Sequence, residues 1–397
     1  MTKTELKKNI TKIKKFLKQR DYDIIDTGIE LARSLDEPAV FETLLGGWSI
    51  NDEGKLVLEE GYQGETLTKR WSDESWPYFA YALVNLIGYA PKNTKVHKSL
   101  EYANIKTLSL TNCSWLELPF GLANLTNLTS LDLSFCTSLQ NVDVLANLHH
   151  LTNLNLSSCW NIQNVDGLTN LINLTSLDMS GCTSLQNAAG LANLTNLTSL
   201  DLSYCNSLQN LDGLANLPNL TSLDLSSCDS LQNVDGLANL PNLTRLDLDY
   251  CGYLQVPSEK SIMTTRDEVV VYQDKIRIVM ALKNGDMDVF PDYKATAILN
   301  LSWCTLLKNV DGLAKCTNLT SLDLRWCKSL QNVEPLIQLQ ELKVLSMDGC
   351  KKVEPLPRPM NMETRSEVES YFRRILKKAG RFNTPARIRV NSLFFTG

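Results

Sequence analysis

The 397-residue chain has only three histidines, and no part of it stays apolar for long. Its longest apolar-looking run, Tyr78 to Ala90, is too short to span a bilayer. The first twenty residues are rich in lysine and lack the apolar run of a secretory leader. The expectation is a cytoplasmic protein with no membrane insertion. There is no P-loop, no G-x-S-x-G, no H-E-x-x-H and no C-x-x-C pair. His97 lies in a polar stretch, and His149 with His150 has no third ligand in sight. No catalytic residue, cofactor site or metal site is therefore expected, and the chain reads as no enzyme.

Charge is unevenly spread. Residues 1–20 carry eight Lys/Arg against one Glu, and residues 351–397 carry eleven against four. Each end is thus +7, which leaves −19 for the middle of a chain whose net charge is −5. Such a layout steers basic partners to the middle or acidic ones to the ends, or keeps solvated faces soluble.

What is present is periodic. Ten of the 11 cysteines fall at 113, 136, 159, 182, 205, 228 and 251, and then at 304, 327 and 350. Within each group the step is 23 residues. Around them recurs L-x-x-L-x-L-x-x-C-x-x-L-x-x-V-x-x-L-x-x-L, carried in the second copy by Leu128, Leu131, Leu133, Cys136, Leu139, Val142, Leu145 and Leu148. A fixed period of this kind marks a solenoid. Alternation around Leu131 and Leu133 predicts a short strand with both leucines inward. Asp166 is placed to cap a short helical turn, and Pro335 sits just inside the corresponding turn of the ninth copy. Each copy is too short for a long helix, so the outer side should be one 3₁₀ or α turn.

These residues resemble the leucine-rich repeat family, and "LTNLTSLDLS…VDGLANL" is similar to its internalin-like, short bacterial-type members. The resemblance covers Ile105 to Leu254 and Ala295 to Val353. It implies an α/β solenoid, a horseshoe whose parallel sheet lines the concave side, and binding through that side. Many members carry asparagine at the turn after the strand where this chain carries cysteine; cysteine-containing variants of the family are known. A cysteine there should be an inward-facing packing residue whose S–H donates weakly to a carbonyl of the neighbouring coil. Cys316 replaces a repeat leucine and is expected in the core.

Outside the repeats, "MTTRDEVVVYQDKIRIVMALKNG" (Met263 to Gly285) and "METRSEVESYFRRILKKAG" (Met362 to Gly380) align at a shift of 99 residues. Each has a capping box, Thr265 with Glu268 and Thr364 with Glu367, then a helical apolar stripe and a glycine stop. Two related helices, each closing a block of coils, are expected; a helix docked on a partner is the alternative. Near the start, helices are predicted over Thr4 to Asp21, Asp23 to Leu35, Glu37 to Gly47 and Ser75 to Gly88, the last beside the first coil. The resulting organisation is a helical region at 1–100, seven coils at 101–256, a helical insertion at 257–294, three coils at 295–356, and a helical cap with a basic tail at 357–397.

Function is sought where the copies differ. Copies four to six repeat the same Ser-Asp-Ser on their solvent-facing strand positions, from Ser176, Asp178 and Ser180 onward. The aspartates should form a ladder on the sheet face. The later copies instead bring Arg245, Asp247, Asp249 and Tyr250, then Trp303, Asp323, Arg325, Trp326 and Asp348. Aromatics and arginines are common interface anchors, so these nine residues form the expected surface for a protein partner of a protein-interaction scaffold. Nucleic acid through the basic tail (Arg373 to Arg389) is a second reading, opposed by the acidic solenoid. Self-association of basic ends with acidic flanks is a third, and an effector role of the N-terminal region a fourth.

Overall fold

The computed structural model describes residues 2–35, 37–45, 48–50, 56–58, 76–89, 105–113, 118–252, 254, 261–284 and 295–379. It divides into two compact units, Met1–Leu254 with Lys260–Val270, and Gln255–Glu259 with Val271–Gly397.

The first unit opens with three helices, α1 (Lys3–Leu17), α2 (Tyr22–Leu35) and α3 (Pro38–Leu45). Thr2 and Glu5 close a reciprocal capping box at the start of α1, and Pro38 stands at the first position of α3, where its missing N–H costs nothing. The apolar stripe of α1 buries Ile13 and Leu17, and α2 meets it with Ile25 and Ile29. A hairpin of β1 (Trp48–Ile50) and β2 (Leu56–Leu58) follows, which the sequence pattern did not predict. Helix α4 (Trp76–Tyr89) packs on the first 3₁₀ turn of the solenoid, Phe120–Asn124. There the buried Asn85 side chain accepts the Gly121 N–H at 2.9 Å, so the helix lies beside the first coil as expected.

The coils then stack. Strands β3 (Thr107–Ser109), β4 (Ser130–Asp132), β5 (Asn153–Asn155), β6 (Ser176–Asp178), β7 (Ser199–Asp201), β8 (Ser222–Asp224) and β9 (Arg245–Asp247) pair in parallel, each in register with the strand 23 residues on. Leu131 faces Leu154 and Leu154 faces Leu177. The inward leucines Leu131 and Leu133 are fully buried, each worth about 1.5–3 kcal/mol of burial. Between each pair of successive strands from β3 to β9 the outer side is a short 3₁₀ turn, such as Asp166–Leu168. Gly213 shows why the turn begins D-G-L: a Cβ there would lie 1.9 Å from the Ala188 carbonyl oxygen of the coil below. The caps of these turns differ from expectation. Asp166 makes no side-chain cap bond; the Asn164 Oδ1 two residues earlier accepts the Asp166 N–H instead. Asn233 does the same for Asp235 at 2.8 Å, and Asn332 for Glu334 at 3.0 Å. Amide oxygen at the residue before the apolar N-cap reaches the free N–H, whereas the aspartate already inside the turn points its carboxylate away from it.

The sheet ends on β10 (Ile262–Met263), which runs antiparallel to β9. Helix α5 (Arg266–Asn284) follows at once. The second unit repeats the plan with β11 (Ile298–Asn300), β12 (Ser321–Asp323) and β13 (Val344–Ser346) in parallel, closed by antiparallel β14 (Asn361–Met362) and helix α6 (Arg365–Lys378). The two closures match atom for atom at the 99-residue shift. Arg266 Nη1 donates to the carbonyls of Leu240 and Leu243 at 3.3 and 2.9 Å, and Arg365 Nη1 to those of Leu339 and Leu342 at 3.2 and 2.7 Å. A guanidinium thereby ties the start of each closing helix to the last turn of the coil before it. Thr364 and Glu367 complete the predicted capping box of α6. The expected basic tail beyond residue 379 lies outside the described residues.

Candidate interaction surfaces

Except in β3 and β13, which close on serine, the end of each parallel strand is held by one device. The aspartate or asparagine that closes it accepts the backbone N–H two residues on: Asp178 from Ser180, Asp201 from Ser203 and Asp224 from Ser226, each at 2.9 Å. Asn155 and Asn300 do the same at 2.8 Å. The predicted aspartate ladder is thus a stack of turn-closing acceptors. Burial pushes the Asp201 carboxyl up, against the Ser203 hydrogen bonds that hold it down. Asp247 is only 8 % exposed and accepts the Asp249 N–H, which removes its carboxylate from the expected binding surface.

Past the aspartate the chain takes a left-handed step at the residue before the cysteine. Its φ is positive at Asn112, Phe135, Ser158, Tyr204, Ser227, Tyr250, Trp303 and Trp326, and at Gly181 and Gly349. The step turns that residue's N–H toward the next coil: Tyr204 donates to the Ser226 carbonyl at 2.8 Å and Trp326 to that of Asp348 at 2.6 Å. The cysteine then turns inward. Cys159 Sγ donates to the Leu133 carbonyl at 3.2 Å, and Cys182, Cys205 and Cys228 repeat the bond one coil on each time. Burial raises these thiols, Cys182 to about 12 and the half-buried Cys251 to about 11. Cys316 is buried, as expected of a leucine replacement.

On the opposite edge, where the coils enter the strands, a groove of about 1190 Å³ runs along the first unit. Its walls are threonines and asparagines, and their donors are used within the solenoid: Thr198 Oγ1 reaches the Thr175 carbonyl and Asn196 Nδ2 the Ile172 carbonyl, both at 2.9 Å. His150 takes the asparagine position in this wall. Among the described residues no group of three or more His, Cys, Asp or Glu is arranged to hold a metal ion.

The nine sequence-predicted surface residues fall in the two units. In the first, Arg245 and Tyr250 are exposed, Tyr250 by 77 %, with Asp249 partly so. In the second, Trp303 stacks on Trp326 with ring centroids 5.0 Å apart and planes 12° from parallel. Gly349 lies against the other side of Trp326, where a Cβ would come within 2.8 Å of the indole. Beside the pair, Arg325 forks onto the Asp323 carboxylate with Nε at 3.0 and 2.9 Å and Nη2 at 2.5 Å. Asp348 is partly exposed and gives its carbonyl to Trp326. Two exposed apolar residues of the unit's first coil, Ile298 and Leu306, were not among the nine. The signal was available: five of the other nine copies place serine at the strand position that Ile298 occupies, as at Ser176 and Ser321.

Family models of leucine-rich repeats match the chain at residues 195–239, as two copies, and at 124–146 and 315–333. No curated protein matches by sequence. Among solved structures the chain is similar to an internalin, InlF of Listeria monocytogenes, at 19% identity over 82% of this chain and 93% of that one, with a TM-score of 0.36. Internalin C2 of the same organism gives 20% identity, 68% and 89% coverage and a TM-score of 0.27. The leucine-rich repeat domain of the type III effector XopL gives 18% identity, 72% and 86% coverage and a TM-score of 0.32. With its 23-residue period, in-register parallel strands and 3₁₀ outer turns, the chain is a leucine-rich repeat protein.

Proposed function

We propose that this protein is a non-enzymatic scaffold that binds a protein partner through its second unit, with the stacked pair Trp303 and Trp326 as the anchor. The observation that carries this reading is the exposure of Trp303 where it stacks on the part-buried Trp326. Trp303 is 46 % exposed and is held in a left-handed backbone conformation at φ 64°. Large side chains reach that region at a cost, so an exposed tryptophan there is not a packing choice. Ile298, 75 % exposed, and Leu306, 51 % exposed, extend the apolar area within the same coil. Arg325, preset by its fork onto Asp323, supplies a polar anchor with little left to lose in rotamer freedom. Tryptophan and arginine surrounded by smaller contacts is the usual make-up of an interface hot spot.

A buried column of free thiols supports a reducing, cytoplasmic setting, with S–H bonds such as that of Cys182 to the Leu156 carbonyl. The test is capture from source lysate with the full chain and with Trp303→Ser/Trp326→Ser. Serine is tolerated at this backbone position, as Ser158 and Ser227 show. A protein retained by the parent chain and lost by the variant supports the reading. A protein retained by both, or none retained by either, overturns it.

A further inference from the structure

The left-handed position before the cysteine is occupied in an unexpected way. Glycine and asparagine take positive φ at least cost, and Gly181, Gly349 and Asn112 do so here. Yet aromatics make up 7% of the chain and fill half of these ten positions. In the first unit they are Phe135, Tyr204 and Tyr250, at φ 59°, 58° and 57°. They are 54 %, 58 % and 77 % exposed, so the core does not demand them. Trp160, two residues past the corresponding Ser158, adds a fourth exposed ring at 52 %. Successive coils keep the position in one column: a Cβ on Gly181 would lie 3.5 Å from the Ser158 Cα.

The surroundings of this column carry no cation; their charges are carboxylates, with Asp132, Asp178, Asp201 and Asp224 each three residues before a column position and Asp249 next to Tyr250. Between residues 107 and 244 the chain has no lysine and no arginine. Along the strip, Ser, Thr and Asn separate the rings, and every coil from Gln140 to Gln232 presents an exposed glutamine. Asp229 is the one acid that follows a column cysteine directly. A nucleic acid needs cations for its phosphates, and an anionic lipid surface needs the same. This strip repeats the same amides and hydroxyls at each coil, about 4.8 Å apart, which suits a ligand that itself repeats. We infer that the edge formed by Phe135, Trp160, Tyr204 and Tyr250 is a binding strip for a linear, uncharged polysaccharide. The rings would stack on the C–H faces of sugar units, and the amide ladder would meet their hydroxyl edges. This strip lies in the first unit and shares no residue with the Trp303–Trp326 site, so either can fail alone.

The test is native affinity electrophoresis of the full chain in gels containing laminarin, hydroxyethyl cellulose, xylan or amylopectin. At least one polymer should retard the protein, and the retardation should persist in about 0.5 M salt, where phosphate-type contacts are screened. Phe135→Ser/Tyr204→Ser/Tyr250→Ser should weaken it by roughly tenfold or more, since each stacked ring adds to affinity. Trp303→Ser/Trp326→Ser should leave it unchanged. Absence of retardation in all four gels, equal retardation of the triple variant, or loss of retardation with salt would overturn the inference.

Discussion

Most thiols of the cysteine stack donate an S–H bond to a carbonyl of the coil before, as Cys205 does to Met179, and burial raises the Cys205 thiol. In the unfolded chain a thiol ionises near about 8.5. In the fold, Cys251, Cys304 and Cys316 hold their protons up to about 11. Above about pH 8.5 the unfolded chain therefore binds fewer protons than the folded one, and stability falls as pH rises from there through the folded values. Urea midpoints measured at about pH 7.5 and about pH 10 should differ by more than ~2 kcal/mol of stability, the alkaline sample being weaker. A flat midpoint would contradict this. Gly213 makes a second test at the same scale. Its missing Cβ lets the turn sit against Ala188, so Gly213→Ala should cost about 2 kcal/mol or more by urea denaturation. By contrast Tyr250→Gly removes a whole ring from a strained, exposed position and should cost no stability. The inward cysteine was legible from its spacing. The turn-closing role of Asp178 and the capping by Asn164 were not, because a polar residue at a strand end reads the same whether it faces solvent or a backbone N–H.

At the scale of elements, the closing strand and helix form a module used twice. Helices α5 and α6 were readable from their capping boxes and apolar stripes, and α1 to α4 from theirs. Strands β10 and β14 were not, since two residues show no period; both lie just ahead of the predicted capping boxes. The hairpin of β1 and β2 is only three residues a side and was missed for the same reason. The arginine that seals each block was visible only as a matched residue of the 99-residue shift. Its two carbonyl bonds are charge-assisted and partly shielded, so Arg365→Ala should lower stability by about 2 kcal/mol. Arg365→Lys should recover only part of it, because one ammonium can donate to both carbonyls as Nη1 does but cannot also keep the Nε contact to Glu369 at 2.8 Å. Thr364→Ala should cost about 1 kcal/mol through the capping box.

At the scale of the molecule, the period foretold the solenoid, and its break between Cys251 and Cys304 foretold a change of plan. It did not say that the sheet itself ends there. The parallel ladder stops at β9 with an antiparallel strand, and a separate sheet begins at β11. Coils interact only with their neighbours, so an interrupted ladder predicts unfolding in two transitions. Arg365→Ala should shift only one of them in a calorimetric scan, and a single transition that moves as a whole would rule out that independence. The candidate site was half legible. Trp303, Trp326 and Arg325 stood out against a uniform repeat, but their stacking and the fork onto Asp323 depend on the left-handed step that brings them to one edge. The most direct test of partner binding there is to replace Trp303 with a photoreactive phenylalanine analogue in the source cell, with Thr183 replaced as the control. A discrete protein adduct from position 303 and none from position 183 is the expected result; no adduct at 303, or the same adduct from both, would contradict it.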